Sequence, residues 1–251
     1  DRLCIGDNLR KNFGYAALSQ IYHELGIHTF LINRQRHSKE QYDSNTIMKM
    51  LVYSRLLFLA SKKSSYDSRE RFFENTDYLL DDVYRCLSFL DKHRENLQIW
   101  MNDRIKKNYG RDTSLIYYDV TNYYFETDEQ NDFLRKGVCK EHRPNPIVQM
   151  GLFMDNKGIP ITYELFPGNT NDCLTYRPNL GPIKKQFDLG RVITVADKGM
   201  TTGDNIWYTI NTPTHDGYVF SMSIRGAEKS IKDYVLEQEG YESVSYTHLR
   251  A

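Results

Sequence analysis

Two aspartates stand where a carboxylate is costly without a partner. Asp119 interrupts S-L-I-Y-Y-D-V-T-N-Y-Y-F-E, residues 114–126, a tyrosine-rich run that otherwise alternates like a strand. Asp197 closes R-V-I-T-V-A-D, residues 191–197, a short apolar run of the buried-strand type. If these strands are neighbours, the two carboxylates converge at one edge of a sheet. Buried carboxylates of like charge raise each other's pKa unless something positive sits between them. A divalent cation is the usual solution. Mg²⁺ accepts one or two carboxylates and fills its remaining positions with water and phosphate oxygens. Two such ions about 4 Å apart activate a nucleophile and stabilise the leaving oxygen in phosphodiester cleavage.

Each aspartate also has a plainer reading. Asp197 precedes K-G-M-T-T-G and suits a turn or the cap of a following helix. Asp119 is harder to explain that way, because Val120, Tyr123 and Phe125 continue the strand beyond it. Thr121 and Asn122 either orient Asp119 through hydrogen bonds or face solvent. Glu126 is no third member of the set, since an offset of seven residues puts it on the opposite face.

The elements that must position this pair follow from periodicity. The first part of the chain is helical. Leu9, Phe13, Ala16, Ala17, Ile21 and Leu25 share one face, with Gly26 as a stop. A second helix runs from a cap at Asn45 or Thr46 to Lys62 and Lys63. A third opens at L-L-D-D-V-Y-R with Asp81 and Asp82 at its positive end, and a fourth spans His93 to Tyr109. Gly110-Arg111-Asp112 is punctuation, and the domain boundary is placed there. Beyond it the period changes to two. Strands are expected over residues 115–125, from Pro146 to Asp155, and after the D-N-K-G turn. A helix over 174–187, the strand 191–197, a helix at T-T-G-D-N-I-W-Y-T-I-N and a strand over 217–224 complete the order. This is an α/β arrangement, a mixed sheet with helices packed on it. The order is that of a ribonuclease H-like sheet with its first and fourth strands adjacent at the centre. It is preceded by an all-helical domain.

Composition bounds the function classes. The 251 residues are 40% hydrophobic, enough for a core, and 33 basic residues balance 33 acidic ones, so no global field marks a nucleic-acid binder. Residues 1–112 carry 19 Lys+Arg against 15 Asp+Glu, and the rest 14 against 18. That mild asymmetry suits a DNA-contacting part followed by a carboxylate-bearing one. Four scattered cysteines argue against a zinc knuckle or a disulfide framework. No apolar run approaches the roughly 20 residues of a membrane span.

Four blocks sharpen the reading: D-V-T-N-Y-Y-F-E, C-K-E-H-R-P-N-P-I-V-Q-M-G-L, G-I-P-I-T-Y-E-L-F-P-G-N-T-N-D and V-I-T-V-A-D-K-G-M. Their order resembles DDE transposases of bacterial insertion sequences, the IS-four-like group, over nearly the whole second half. L-V-Y-S-R-L-L-F-L-A-S-K and L-D-D-V-Y-R-C-L-S-F-L resemble that family's helical N-terminal portion. The resemblance implies metal-dependent strand cleavage and strand transfer at the ends of a mobile element. Asp119 and Asp197 would be the first two catalytic acids and metal ligands, with Mg²⁺, or Mn²⁺ in its place. It also implies double-stranded DNA partners (terminal inverted repeats and target), a homodimer in the intact protein, and a bacterial cytoplasmic location. Lys198 stands where the family often has Arg. The family's third acid, a Glu beside Tyr, Arg and Lys, has no counterpart here; Glu228, Glu237, Glu239 and Glu242 lack that setting.

The expected organisation is therefore a helical DNA-binding domain over 1–112, a partial ribonuclease H-like catalytic domain over 113–244, and a non-native tail over 245–251 that fits no element. A C-terminally truncated enzyme of this kind is expected to be inactive alone. The alternative is a DNA-binding remnant without catalysis. An actin-like ATPase is disfavoured, because T-N-Y-Y-F-E offers no glycine-rich phosphate loop. Lys140, His142 and Arg143 belong to a matched block and are candidates for holding DNA phosphate, as are Lys198, Lys62 and Lys63. Without the resemblance, H-R-P reads as a polar loop and the lysines as a solvated face.

Overall fold

Gly110, with φ of 65°, ends the last helix of a first compact unit, Asp1–Arg111, and a second unit runs from Asp112 to Ala251. The structure is a computed structural model describing residues 11–138, 144–237 and 239, and the backbone of 241–243 and 248–250.

The first unit is helical: α1 (Tyr15–Glu24), α2 (Ile27–Gln35), α3 (Ser44–Leu57), α4 (Lys62–Asp67), α5 (Leu80–Lys92) and α6 (Arg94–Tyr109). Gly26 does stop α1, in the left-handed conformation with φ of 65°. The face expected for α1 is wrong, however. Phe13, Ala16, Ala17 and Ile21 are exposed, while Tyr15, Leu18 and Tyr22 turn inward. Aromatic rings remove more apolar area from water than alanines do, so the tyrosines decide the rotation of the helix. Tyr22 packs with Ile27, Phe30, Leu31 and Phe89.

α3 is capped at Asp43, two or three residues before the expected Asn45 or Thr46. Asp43 accepts from the amides of Asn45 and Thr46, at 2.9 and 3.2 Å. Nor does α3 reach Lys62. Phe58 is extended, and Ser61 caps a separate α4 by accepting from the amide of Ser64. α2 carried no clear amphipathic signal and was not expected.

In the second unit, β1 (Leu115–Tyr124) pairs antiparallel with β2 (Ile147–Met154), which pairs antiparallel with β3 (Pro160–Pro167). On its other side β1 pairs in parallel with β4 (Ile193–Ala196), and β4 in parallel with β5 (Gly217–Phe220). The order β3-β2-β1-β4-β5, with these directions, is a ribonuclease H-like mixed sheet. As expected, β1 and β4 are central neighbours.

α7 (Arg177–Gln186) and α8 (Gly203–Ile210) are the connecting helices. α7 starts three residues later than expected. Pro178 favours the first turn of a helix, and a 3₁₀ turn over Asp172–Leu174 precedes it. β5 ends at Phe220 rather than Ile224, and the unexpected α9 (Lys229–Leu236) follows. β6 (Tyr241–Ser243) and β7 (His248–Arg250) form a two-stranded ribbon, so residues 248–250 of the expected tail do enter an element. A local pairing partner suffices for strands this short.

Helix α7 covers one sheet face. The Tyr118 hydroxyl donates to Thr175 Oγ1 at 2.7 Å, and that of Tyr176 to Thr194 Oγ1 at 2.9 Å. Tyr118, Phe153 and Tyr176 form a ring cluster, and Leu180 and Ile183 are buried. Two close approaches seal the end of this face. A Cβ on Gly151 would lie 2.4 Å from the Tyr118 hydroxyl, and one on Gly168 only 2.1 Å from the carbonyl oxygen of Ile147.

Candidate two-carboxylate site

Along β1 the buried positions are Ile116, Tyr118 and Val120, so Asp119 projects with Leu115, Tyr117 and Thr121 to the opposite face. In β4, Thr194 and Ala196 are buried, and Asp197 follows the parity of Ile193 and Val195. The parallel register ends with Tyr118 opposite Ala196. Asp119 and Asp197 are the next residues on the two strands, and Asp197 keeps an extended backbone with ψ of 177°. The two positions are therefore neighbours on one face, about one strand spacing of 4.8 Å apart at the backbone. The two strands are neighbours, as expected. The burial of the carboxylates is not as expected: both aspartates are exposed. The pair sits on the face away from α7, at the strand ends, where water reaches it.

Asp197 also fulfils the plainer role. Its Oδ1 accepts from the Gly199 amide at 2.9 Å and caps the 3₁₀ turn Lys198–Met200. A cap occupies one carboxylate oxygen, so it fixes the side chain without excluding a second partner.

Thr121 shares the face of Asp119 and is half-buried. Asn122 does not. It lies on the other face, half-buried, where its Nδ2 donates to the carbonyl of Val138 at 3.0 Å, so it cannot orient Asp119. The alternation of the strand excludes the orienting role. Lys198 is exposed beside Asp197 and lines a hollow with Thr201, Ser221 and Glu228. Lys62 and Lys63 are exposed on the first turn of α4, in the other unit. Lys140, His142 and Arg143 lie outside the described residues.

Asp172 reads in sequence as part of a structural turn over 167–172, with lining of the site only a second choice. Its carboxylate accepts from Gln149 Nε2 at 3.2 Å, and its Cβ would lie 3.8 Å from a Cβ on Gly199, beside Asp197. Burial pushes the Tyr118 hydroxyl pKa well above its ordinary value, and the charges of Asp172 and Asp119 push the same way, against the Thr175 hydrogen bond. Asp172 thus lies near the same end of the sheet, tied through Gln149 to the face opposite Asp119. The signal is the end of the G-N-T-N-D segment, whose turn residues carry no periodicity to favour the second choice. Gln149 was missed as well; it lies opposite Asn122 across the β1–β2 ladder, and the amide oxygens of both are buried without a hydrogen bond among the described residues.

Among the described residues, no three His, Cys, Asp or Glu side chains stand close enough to enclose a metal ion. Two exposed carboxylates on adjacent strands nonetheless suit Mg²⁺, which keeps several waters and needs only one or two protein ligands. Among the described residues, no helix is long and apolar enough to cross a membrane.

No family model and no curated protein sequence matches the chain. Among solved structures it overlaps a piggyBac transposase synaptic complex with hairpin DNA, at TM-score 0.46 and 13% identity, over 88% of this chain and 51% of that one. The Mos1 mariner paired end complex with Mn overlaps at TM-score 0.28 and 13% identity, over 83% and 73%. The catalytic domain of Mos1 mariner transposase does so at TM-score 0.26 and 18% identity, over 50% and 57%. The chain spans about half the length of the piggyBac protein. These overlaps are partial, and the ribonuclease H-like assignment rests on the strand order and directions described above.

Proposed function

We propose that this chain carries the first two metal-binding acids of a DDE-type transposase, Asp119 and Asp197, within a protein that cuts and joins DNA at the ends of a mobile element. The observation that supports this most directly is their adjacency on one face at the ends of the two central parallel strands. The block resemblance, IS-four-like, supports the reaction class. Bound Mg²⁺ would supply a lowered water pKa and charge stabilisation at the phosphoryl oxygens.

The chain's own groups do the rest. The Gly199 amide holds Asp197 Oδ1 and leaves the second oxygen for a cation. Tyr118 keeps its proton and, tied to Thr175, stiffens β1 behind Asp119. Lys198, next in sequence to Asp197, is placed to neutralise a substrate phosphate. The proposal extends to double-stranded DNA as partner, a homodimer in the intact protein, and a third acid contributed from outside this stretch of chain. Without that acid, a nicking assay on this chain with Mg²⁺ or Mn²⁺ is expected to show no cleavage.

Metal binding tests the site directly. Mn²⁺ added to isotope-labelled protein should broaden amide signals around 119–121 and 197–199 first. Asp119→Asn with Asp197→Asn should remove that selectivity. Equal broadening across the chain, or selectivity that survives both substitutions, would sink the assignment.

A further inference from the structure

We propose that the helical unit carries a separate phosphate-binding site, where α2 and α5 end and α6 begins. A cavity of about 360 Å³ there is lined by Arg34, His37, Lys39, Lys92 and His93, with Glu40 the one acid among its lining residues. Arg34 and His37 also border an adjoining hollow of about 260 Å³ walled by Phe30 and Trp100.

Arg34 in the last turn of α2, or Lys92 in that of α5, is by itself the ordinary placement of a cation at a helix end. Their convergence on one hollow is not required by that preference. Among the described residues, neither these two nor Lys39 makes an ion pair. Arg34 instead lies over the Phe30 ring, 5.3 Å from its centroid. His93 stands between them, its ring centroid 4.8 Å from that of Phe89.

Burial lowers the His93 pKa, and the positive charges of Arg34 and Lys92 lower it further. Among the described residues, no carboxylate charge offsets them at this ring. The Glu40 charge acts instead on Tyr42, Cys86 and Arg85. Cations that outnumber the one acid among them repel, and an anion seated there relieves that repulsion. Arg and Lys donors around a concave wall match a phosphate group. The site lies wholly in the helical unit and stands independently of the two-aspartate reading.

The group could belong to a nucleic-acid backbone or to a free phosphate, and two arms separate these. First, histidine ring resonances of the whole chain are followed through pH titrations with and without inorganic phosphate. His93 should titrate at higher pH when phosphate is present, and Arg34→Gln with Lys92→Gln should abolish the difference. Both side chains are exposed, so the variant should keep its circular dichroism. Secondly, a fluorescent 20-base-pair duplex is titrated over a range of salt. If the backbone is the ligand, the double variant should bind every duplex more weakly, with a salt slope reduced by about 2. A phosphate response with no change in duplex binding supports the site with a free phosphate as ligand. A His93 titration indifferent to phosphate, together with duplex binding indifferent to the substitutions, overturns the proposal.

Discussion

An aspartate inside a strand was legible because it violates the pattern around it, and the structure keeps Asp119 and Asp197 adjacent. Their exposure was not legible. Alternation says which residues share a face, but not which face a helix will cover. Asp172 escaped because a turn residue one position past N-T-N carries no periodic signal. Its relation to Gln149 and Gly199 exists only once the strands have paired. The same limit hid the need for Gly151. An added methyl there would meet the buried Tyr118 ring as well as its hydroxyl, at 3.0 and 2.4 Å. Gly151→Ala should therefore destabilise the protein by about 1–3 kcal/mol through overpacking. Chemical denaturation measures it, and a loss below about 0.5 kcal/mol would show that Tyr118 moves freely.

At the scale of elements, strand order was readable from period and turn chemistry, while helix rotation and helix ends were not. α1 turned on two tyrosines that outweighed an alanine stripe. The start of α3 depends on Asp43, one turn ahead of the apolar pattern. Asp43→Ala should cost about 1 kcal/mol, and Asp43→Ser should restore most of it, as read from thermal unfolding. If alanine is neutral, the cap is not what starts α3.

A stronger tie joins α7 to the loop before β5. The Lys184 ammonium pairs with Asp216, which is fully buried and also receives the Val192 amide at 3.0 Å. Burial alone would raise the Asp216 pKa, but Lys184, the Val192 amide, Thr214 and Thr212 outweigh it and hold the carboxyl below its usual value. Lys184→Met alone leaves a buried charge unpaired and should cost about 3–5 kcal/mol. Lys184→Met with Asp216→Leu should cost much less than the two single losses together. Additive losses would show that the pair does not interact.

For the molecule as a whole, net charge is zero and predicts little, but local titrations predict how stability responds to pH. His28 and His93 both have lowered pKa values. Burial is the main cause for each. His23, Lys49 and Arg104 add to it at His28, and Arg34 and Lys92 at His93. The unfolded chain then holds these protons more tightly, so stability is full above about pH 6.5 and falls as pH drops below it. The lowered Asp216 adds a separate loss in a more acidic window, as pH falls through its folded value. Urea midpoints between pH 8 and pH 5 should show the first loss, and His28→Gln with His93→Gln should flatten it. A midpoint that rises on acidification across that range contradicts both shifts.

Gly137 and Gly168 meet without any side chain between them. A Cβ at Gly137 would lie 1.9 Å from the Gly168 carbonyl oxygen, and one at Gly168 2.5 Å from that of Arg135. Backbone therefore meets backbone where the loop after β1 crosses the turn that leads to Asp172. These glycines act as spacers that set where an acid stands. Under the proposed function, a screen of the intact protein for lost activity would score them beside the aspartates, although neither has a functional group. Such a lesion would be one of distance rather than chemistry, and adding metal would not rescue it.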